Sequence, residues 1–178
     1  MKPIADMTQA ELAAYVQGHL MERGIDVILS GGAAVALYSQ GKYVSMDIDL
    51  VQRYFTKRRA ILEAMDEMGF AETGRHFGHP DTEYFVEFPA GPLAIGESQV
   101  QGIDELPLDT GVLRLISPTE CVKDRLVQYF HWGDLQCLEQ AVMVAANHPI
   151  DLDEIESWSR IEDNLDAFRE FRARLESG

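Results

Sequence analysis

The chain has 178 residues, a length that predicts one domain, or one domain with a helical extension. Hydrophobic residues make up 46% and charged residues 25%, which is the balance of an ordinary globular protein. Fifteen basic and thirty acidic residues give a formal net charge of −15, which disfavours broad binding to nucleic-acid backbones but leaves room for a small basic pocket. Its two cysteines predict neither a disulfide framework nor a zinc site. The sequence shows no signal segment and no apolar run near the roughly 18 residues of a membrane span, so we expect a cytoplasmic protein without a membrane segment.

The first part of the chain predicts helices and strands in turn. A helix is expected from Thr8 to Glu22, because Thr8 and Glu11 have the spacing of a capping box. The elements expected after it are a strand at 25–29, a tight turn at 30–32, a short helix at 33–38 and a strand at 44–51. That last strand alternates apolar and polar residues, so Asp47 and Asp49 share its polar face. Its expected inward side chains are Val44, Met46, Ile48 and Leu50.

The middle of the chain predicts further strands, and the last third predicts helices. The expected elements are a helix at 56–68, a weak strand at 70–73, a polar loop at 74–81, a strand at 83–88, a continuation of the sheet at 93–95, a loop at 97–110 and a strand at 112–116. Ser117 and Pro118 then mark a helix start, as N-cap and first helical residue. Helices are expected to about residue 130, from 134 to 147, and from 151 onward. This order predicts an α+β fold, with an α/β core over 1–116 and a C-terminal helical subdomain over 117–178.

Asp47 and Asp49 are the first candidates for chemistry. As residues i and i+2 of a strand, they lie on one face with their roots about 6.6 Å apart. At an effective dielectric near 20, two such charges repel by about 2.5 kcal/mol, and a chelated divalent cation reverses that sign. Metal ions bridged by carboxylates suit phosphoryl transfer. The alternative interpretation is a solvated edge strand with an acidic face.

Gly31 and Gly32 follow a predicted strand and open a predicted helix. Glycines at such a point let the backbone approach a ligand closely, and a helix N-terminus attracts phosphate. Ser30 adds a hydroxyl donor. The turn alone is also explained as a tight strand-to-helix connection. Together with the two aspartates it predicts a phosphate cradle, followed along the chain by a metal-chelating strand.

These two motifs carry a family resemblance. The stretch Leu29-Ser30-Gly31-Gly32 followed by Asp47-Ile48-Asp49-Leu50 resembles the signature of the nucleotidyltransferase superfamily with the DNA-polymerase-β-like fold. It is most similar to the AbiEii/MenT-type branch, which includes toxins of toxin–antitoxin pairs and has a serine where Ser45 stands. The resemblance implies a mixed β-sheet with flanking helices and a site that holds Mg²⁺ or Mn²⁺ and an NTP. The implied partners are a nucleotide and either an antitoxin or a second copy of the chain.

The resemblance also implies roles for residues outside the two motifs. A third metal-binding carboxylate belongs on a later strand, where Glu87 is the candidate and Glu83 competes with it. A later motif, Ser-Pro-x-Glu followed by Lys and Asp, is matched by Ser117, Pro118, Glu120, Lys123 and Asp134. The implied catalytic and metal-binding residues are Asp47, Asp49 and Glu87. The implied nucleotide-binding residues are Ser30, Gly31, Gly32, Ser45, Lys123 and Asp134.

The resemblance implies an enzyme that moves an NMP from an NTP to a hydroxyl acceptor. Because the chain is acidic and has no long basic run, we expect the acceptor to be a protein or a small molecule rather than RNA. Ser30 and Tyr43 stand where the branch often carries Lys and Arg, which favours an alternative, a protein of this fold that binds a nucleotide or a partner without transferring anything. A third interpretation is an antitoxin-like or scaffolding module that uses its acidic surface. Arg75, His76 and His79 cluster in one predicted loop and are a weaker candidate for contact with a phosphate or a base.

Overall fold

A computed structural model describes residues 2–178. After a 3₁₀ turn at Ile4–Asp6, the helices are α1 (Gln9–Glu22), α2 (Gly31–Tyr38), α3 (Arg58–Glu67), α4 (Pro118–Trp132), α5 (Leu135–Asn147), α6 (Leu152–Ile161) and α7 (Leu165–Ser177). The strands are β1 (Val27–Ser30), β2 (Asp47–Gln52), β3 (Ala71–Thr73), β4 (His76–Gly78), β5 (Phe85–Glu87), β6 (Ala94–Ile95), β7 (Ser98–Gln99), β8 (Ile103–Leu108) and β9 (Gly111–Ile116). Within residues 2–178, no helix has both the length and the apolar character needed to cross a membrane.

Seven strands form one mixed sheet in the order β3-β4-β5-β2-β1-β9-β8. At its centre, β1 runs antiparallel to β2 and parallel to β9, while β2 runs parallel to β5. Strand β4 runs antiparallel to both β3 and β5, and β6 pairs with β7 in a separate antiparallel hairpin. The mixed sheet, its flanking helices and the helical C-terminal region confirm the predicted α+β fold.

The chain divides into two compact units that do not follow a single cut in the sequence. The first contains the residues up to Ala33 together with Ser45–Leu93 and Ile103–Leu115. The second contains Ala34–Val44, Ala94–Gly102 and Ile116–Gly178. Two segments that precede residue 117, Ala34–Val44 and Ala94–Gly102, therefore belong to the same unit as the C-terminal helices. A division into 1–116 and 117–178 would assign both segments to the first part.

In the first unit, local signals fix α1 and apolar residues fix the sheet. The hydroxyl of Thr8 accepts a hydrogen bond from the backbone N–H of Glu11, and the Glu11 carboxylate accepts one from the backbone N–H of Thr8, which confirms the predicted capping box. Burying an aliphatic side chain stabilises the fold by about 1.5–3 kcal/mol. The aliphatic side chains buried in α1 and the central strands include Leu12, Val16, Leu20, Ile28, Leu29, Ile48, Leu50 and Val86.

In the second unit, the helix boundaries follow the predicted caps. The Ser117 hydroxyl accepts a hydrogen bond from the backbone N–H of Glu120 at the start of α4. Helix α4 ends at Gly133, which has the left-handed conformation (φ 65°) that glycine adopts without strain. Asp134 then caps α5 by accepting hydrogen bonds from the backbone N–H groups of Gln136 and Cys137. The predicted break between the two helices is confirmed.

The expected strand at 44–51 was wrong at its start. It begins only at Asp47, and the side chains of Val44 and Met46 are 75% and 40% exposed instead of pointing inward. The tight turn expected at 30–32 is also absent from the described residues, because β1 continues to Ser30 and α2 begins at Gly31. The apolar alternation in the sequence therefore begins at Val44, three residues before the strand itself begins.

Three further expectations in the middle of the chain were wrong. The expected loop at 74–81 contains β4, and the expected loop at 97–110 contains β7 and β8. The segment expected to continue the sheet at 93–95 instead pairs with β7 in the small hairpin. Strand β8 lies at an edge of the sheet and is mostly exposed, so its acidic residues carry no apolar alternation that sequence could reveal.

Candidate active site

The three carboxylates predicted from the sequence lie on two adjacent strands. Asp49 of β2 is the register partner of Glu87 of β5, and Asp47 is the partner of Phe85. Register partners on neighbouring strands point to the same face, and the strands are about 4.8 Å apart. Asp49 and Glu87 are therefore side by side, with Asp47 two residues along on the same face. The opposite face is apolar, since Ile48 and its neighbours are fully buried.

Glu83 does not share this arrangement. It precedes β5, whose range is Phe85–Glu87, and its side chain is exposed. The structure therefore places Glu87, rather than its competitor, in register with Asp49.

The start of α2 is packed against Asp49. Ser30 is the register partner of Asp49 on β1, so Ser30, Asp49 and Glu87 form one row across three strands. Gly31 follows with φ 67°, and a Cβ built there would lie 2.1 Å from Oδ2 of Asp49. Glycine alone adopts this φ without strain and leaves room for the carboxylate. Gly32 is the second residue of α2 and is half-buried.

The start of β2 is held by the side chains of Ser45 and Gln9. Only Ser45 was a candidate residue in the sequence analysis. The Ser45 hydroxyl donates a hydrogen bond to the backbone carbonyl of Asp47 at 3.3 Å. Gln9 of α1 donates from Nε2 to the carbonyls of Ser45 (2.9 Å) and Asp47 (3.2 Å). Gln9 was missed because its partners are 36 and 38 residues away, and no local pattern marks such a contact. Both side chains fix the backbone from which Asp47 projects.

Strand β4 extends the row on the far side of Glu87. His76 is the register partner of Glu87, and its ring packs on Phe85 with the centroids 4.8 Å apart. Arg75 precedes it and forms an ion pair with Glu87, with Nε 3.7 Å from Oε1. His79 packs on Phe70 instead. The loop cluster of the sequence thus splits, and two of its members lie beside the carboxylates.

Lys123 and Asp134 have partners inside the second unit. The Lys123 ammonium forms ion pairs with Glu120 and Glu154, and its side chain is only 7% exposed. The Asp134 carboxylate caps α5, as described above. Their assignment to the nucleotide remains a prediction of the sequence motif, and the structure gives each of them a structural task.

The cysteines do not provide a nucleophile. Burial raises the pKa of the Cys121 thiol far above its ordinary value and raises the pKa of Cys137 to about 11. Both therefore carry protonated thiols at neutral pH, which are poor nucleophiles. The chemistry of the candidate site therefore does not rest on a thiolate.

The donor set of the row fits a divalent cation. Carboxylate oxygens are the ligands that Mg²⁺ prefers, and three carboxylates share this face with a serine hydroxyl. Within residues 2–178, no three His, Cys, Asp or Glu side chains already form a cluster that could hold a metal ion. Metal binding therefore requires the carboxylates of the row to turn toward a common point.

Comparison with solved structures identifies the fold. The chain is similar to an antigenic nucleotidyltransferase-like protein from Paracoccidioides brasiliensis, with a TM-score of 0.57 over 76% of this chain and 75% of that chain. It is also similar to the antibiotic-resistance factor ANT(2'')-Ia in solution (TM-score 0.53, 92% of each chain) and to crystalline ANT(2'')-Ia in complex with adenylyl-2''-tobramycin (TM-score 0.50, 94% and 99%). Sequence identity is 17% in each case. The chain therefore has a nucleotidyltransferase-like fold, as the sequence predicted.

Other comparisons found no relatives. No protein-family model matches the sequence, and no curated protein matches it. Similarity to the AbiEii/MenT-type branch, and a role in a toxin–antitoxin pair, rest on the sequence motif alone and remain predictions.

Proposed function

We propose that the protein is a metal-dependent nucleotidyltransferase that moves an NMP from an NTP to a hydroxyl acceptor. The observation that supports this most strongly is the row Ser30, Asp49 and Glu87, with Asp47 on the same face and the Gly31 backbone packed against Asp49. The nucleotidyltransferase-like fold supports the same reaction class.

Each residue of the proposed site has a task that follows from its chemistry. Asp47, Asp49 and Glu87 would hold Mg²⁺ or Mn²⁺, which when bound neutralises charge on the phosphates. The N-terminal backbone N–H groups of α2 would hydrogen-bond phosphate oxygens, because they have no partner within the helix. Glu87 would accept the proton of the acceptor hydroxyl. The acceptor oxygen then bonds to the α-phosphorus, and pyrophosphate leaves with the electron pair of the broken bond.

The proposed acceptor is a protein or a small molecule rather than RNA. A net charge of −15 disfavours a polyanionic acceptor, since each phosphate would have to be neutralised by scarce cations. The solved complex of ANT(2'')-Ia contains adenylyl-2''-tobramycin, in which an adenylyl group is joined to a small molecule. A small acceptor with free hydroxyl groups is therefore the first class to test.

One observation favours the alternative, a protein of this fold that binds a nucleotide without transferring it. Lys123, the cation that the sequence motif assigns to the phosphates, is already paired with Glu120 and Glu154. A site with fewer free cations binds and activates a triphosphate less strongly. The test of function therefore has to separate binding from transfer.

The test uses each of the four NTPs, labelled at the α-phosphate, with Mg²⁺ or Mn²⁺ and two acceptor pools, a panel of hydroxyl-bearing small molecules that includes aminoglycosides and a protein fraction. Wild type should transfer label and release pyrophosphate. The rate of transfer should be at least about 100-fold lower in Asp49→Asn, because a preorganised charge at the reacting phosphate is removed. Asp66→Asn, which alters an exposed carboxylate of α3, is the control and should keep activity.

Three outcomes are distinguishable. Transfer by wild type and by Asp66→Asn, with loss in Asp49→Asn, supports the enzyme. Metal-dependent NTP binding without transfer to either pool supports the alternative. The absence of both NTP binding and transfer would contradict the proposal.

A further inference from the structure

We propose that Arg75 is a triphosphate-binding residue of the candidate site and that it leaves Glu87 when the carboxylates take up a divalent cation. This inference rests on the proposed function, because it assigns the cation that contacts the phosphate chain. The motivating observation is an exposed arginine that forms an ion pair with Glu87, one of the three carboxylates of the candidate site.

The geometry places Arg75 at the site without fixing it there. Its side chain is 89% exposed, whereas the Glu87 side chain is 22% exposed, and the two are joined by one ion pair at 3.7 Å. Exposed ion pairs of this kind contribute little to stability, so Arg75 can exchange its partner at low cost. His76, the next residue, differs because its ring is packed on Phe85.

The charges determine how Arg75 responds to a ligand. With no cation bound, three carboxylates on one face repel one another, and the guanidinium offsets part of that repulsion. A divalent cation on Glu87 replaces this compensation and repels the guanidinium. A triphosphate that arrives with the cation then presents several negative oxygens to the displaced arginine. The planar guanidinium matches phosphate oxygens bidentately, which a lysine ammonium does not.

The other paired cations of the first unit are directed elsewhere. Arg53 and Arg114 both pair with Asp26, and Arg58 and Arg59 pair with glutamates on β3 and α3. Lys2 pairs with Glu11 of α1, and Arg23 pairs with Glu67 of α3. These carboxylates lie outside the row. Arg75 pairs with a carboxylate inside it.

Arg59 provides a matched control. Its side chain is 88% exposed and forms a single ion pair with Glu63 on α3. Arg59→Ala therefore removes the same charge from an equally exposed arginine, at a position outside the candidate site. Any effect of net charge alone should be equal in Arg59→Ala and Arg75→Ala.

The experiment measures binding to the full chain by isothermal titration, first with Mn²⁺ alone and then with inorganic triphosphate at saturating Mn²⁺. Inorganic triphosphate is used because it needs no assumption about the base. Arg75→Ala should weaken triphosphate binding by roughly 10-fold or more, as expected for loss of a charge-assisted contact. It should tighten Mn²⁺ binding by about two- to five-fold, because Glu87 loses a competing partner. Arg75→Lys should fall between Arg75→Ala and wild type, and Arg59→Ala should match wild type in both titrations.

The two effects of Arg75→Ala have opposite signs, which a purely structural residue would not produce. Equal triphosphate affinity in Arg75→Ala and Arg59→Ala, or weaker Mn²⁺ binding in Arg75→Ala, would overturn the inference. Wild type that binds neither probe would overturn the inference together with the proposed function. Wild type that binds both but transfers no nucleotide would overturn the transfer activity alone, and the comparison of the arginine variants would still decide the role of Arg75.

Discussion

Replacing Gly31 by alanine should disable the candidate site while leaving the protein folded. The new Cβ would lie 2.1 Å from Oδ2 and 3.0 Å from Cγ of Asp49, so the carboxylate has to move away. Oδ2 is the end of a side chain rather than backbone, so rotation of Asp49 relieves most of the clash. The carboxylate then no longer lies in the row with Glu87.

The expected loss of stability is small enough for the variant to fold. An L-residue with φ near 67° costs about 1–2 kcal/mol, and a displaced rotamer of Asp49 adds about 0.5–1.5 kcal/mol. The total, about 1.5–3.5 kcal/mol, is below the 5–15 kcal/mol that typically stabilises a native protein. At about 2–4 °C per kcal/mol for a chain of this size, Tm should fall by about 3–14 °C.

Gly24→Ala separates backbone strain from the loss of the site. Gly24 has φ 71°, and nothing lies within 4 Å of a Cβ built there, so only the backbone cost applies. Its Tm should fall by about 2–8 °C, and its Mn²⁺ affinity should equal that of wild type. Gly31→Ala should weaken Mn²⁺ binding at least about 10-fold in the same titration, because one carboxylate ligand is displaced. A folded Gly31→Ala protein that binds Mn²⁺ as Gly24→Ala does would refute the link between this glycine and the metal site.

Three further predictions concern side chains outside the row. Hydrogen bonding to Lys2 lowers the pKa of Glu11 from 4.5 to about 2. The ionised Glu11 carboxylate therefore stabilises the fold fully above pH 4.5, and this contribution is lost as the pH falls toward 2. The difference in urea stability between wild type and Glu11→Gln should vanish near pH 2, and a difference that stays constant with pH would contradict this. Asp134→Ala should cost about 1 kcal/mol, whereas Asp134→Ser keeps a cap, and a loss of triphosphate affinity in the serine variant would show that the carboxylate does more than cap α5. Asp26→Asn should cost about 1–3 kcal/mol, because two arginines lose their carboxylate, and an unchanged urea midpoint would exclude that contribution.

The sequence predicted those parts of the fold that depend on local signals. The capping box at Thr8, the N-cap at Ser117 and the break before Asp134 are each specified by residues within four positions of one another, and all three are present. Strand β8 was missed because an exposed edge strand needs no apolar face. Val44 and Met46 were misplaced because their alternation matches a strand although they lie outside it.

The sequence predicted which residue types belong to the candidate site, but it did not predict how the strands arrange them. The Gly-Gly and Asp-x-Asp motifs are local, so Asp47 and Asp49 could be singled out from spacing alone. The register that places Glu87 beside Asp49 joins residues 38 positions apart, and sequence spacing does not encode such pairing. The approach of Arg75 to Glu87 depends on a strand, β4, that the sequence did not indicate.

The most direct test of the proposed metal site is a Mn²⁺ titration of wild type and four variants in the presence of an NTP. Electron paramagnetic resonance measures the free Mn²⁺ at each step of the titration. Asp47→Asn, Asp49→Asn and Glu87→Gln should each bind Mn²⁺ at least about 10-fold more weakly than wild type, because each loses a charged oxygen ligand. Glu83→Gln should bind as wild type does, since Glu83 is exposed and lies outside β5. All four variants should stay folded, and in Asp47→Asn, Asp49→Asn and Glu87→Gln the removal of one like charge relieves repulsion on the carboxylate face. Wild-type affinity in the Asp47, Asp49 and Glu87 variants would contradict the metal site, and with it the proposed nucleotidyl transfer.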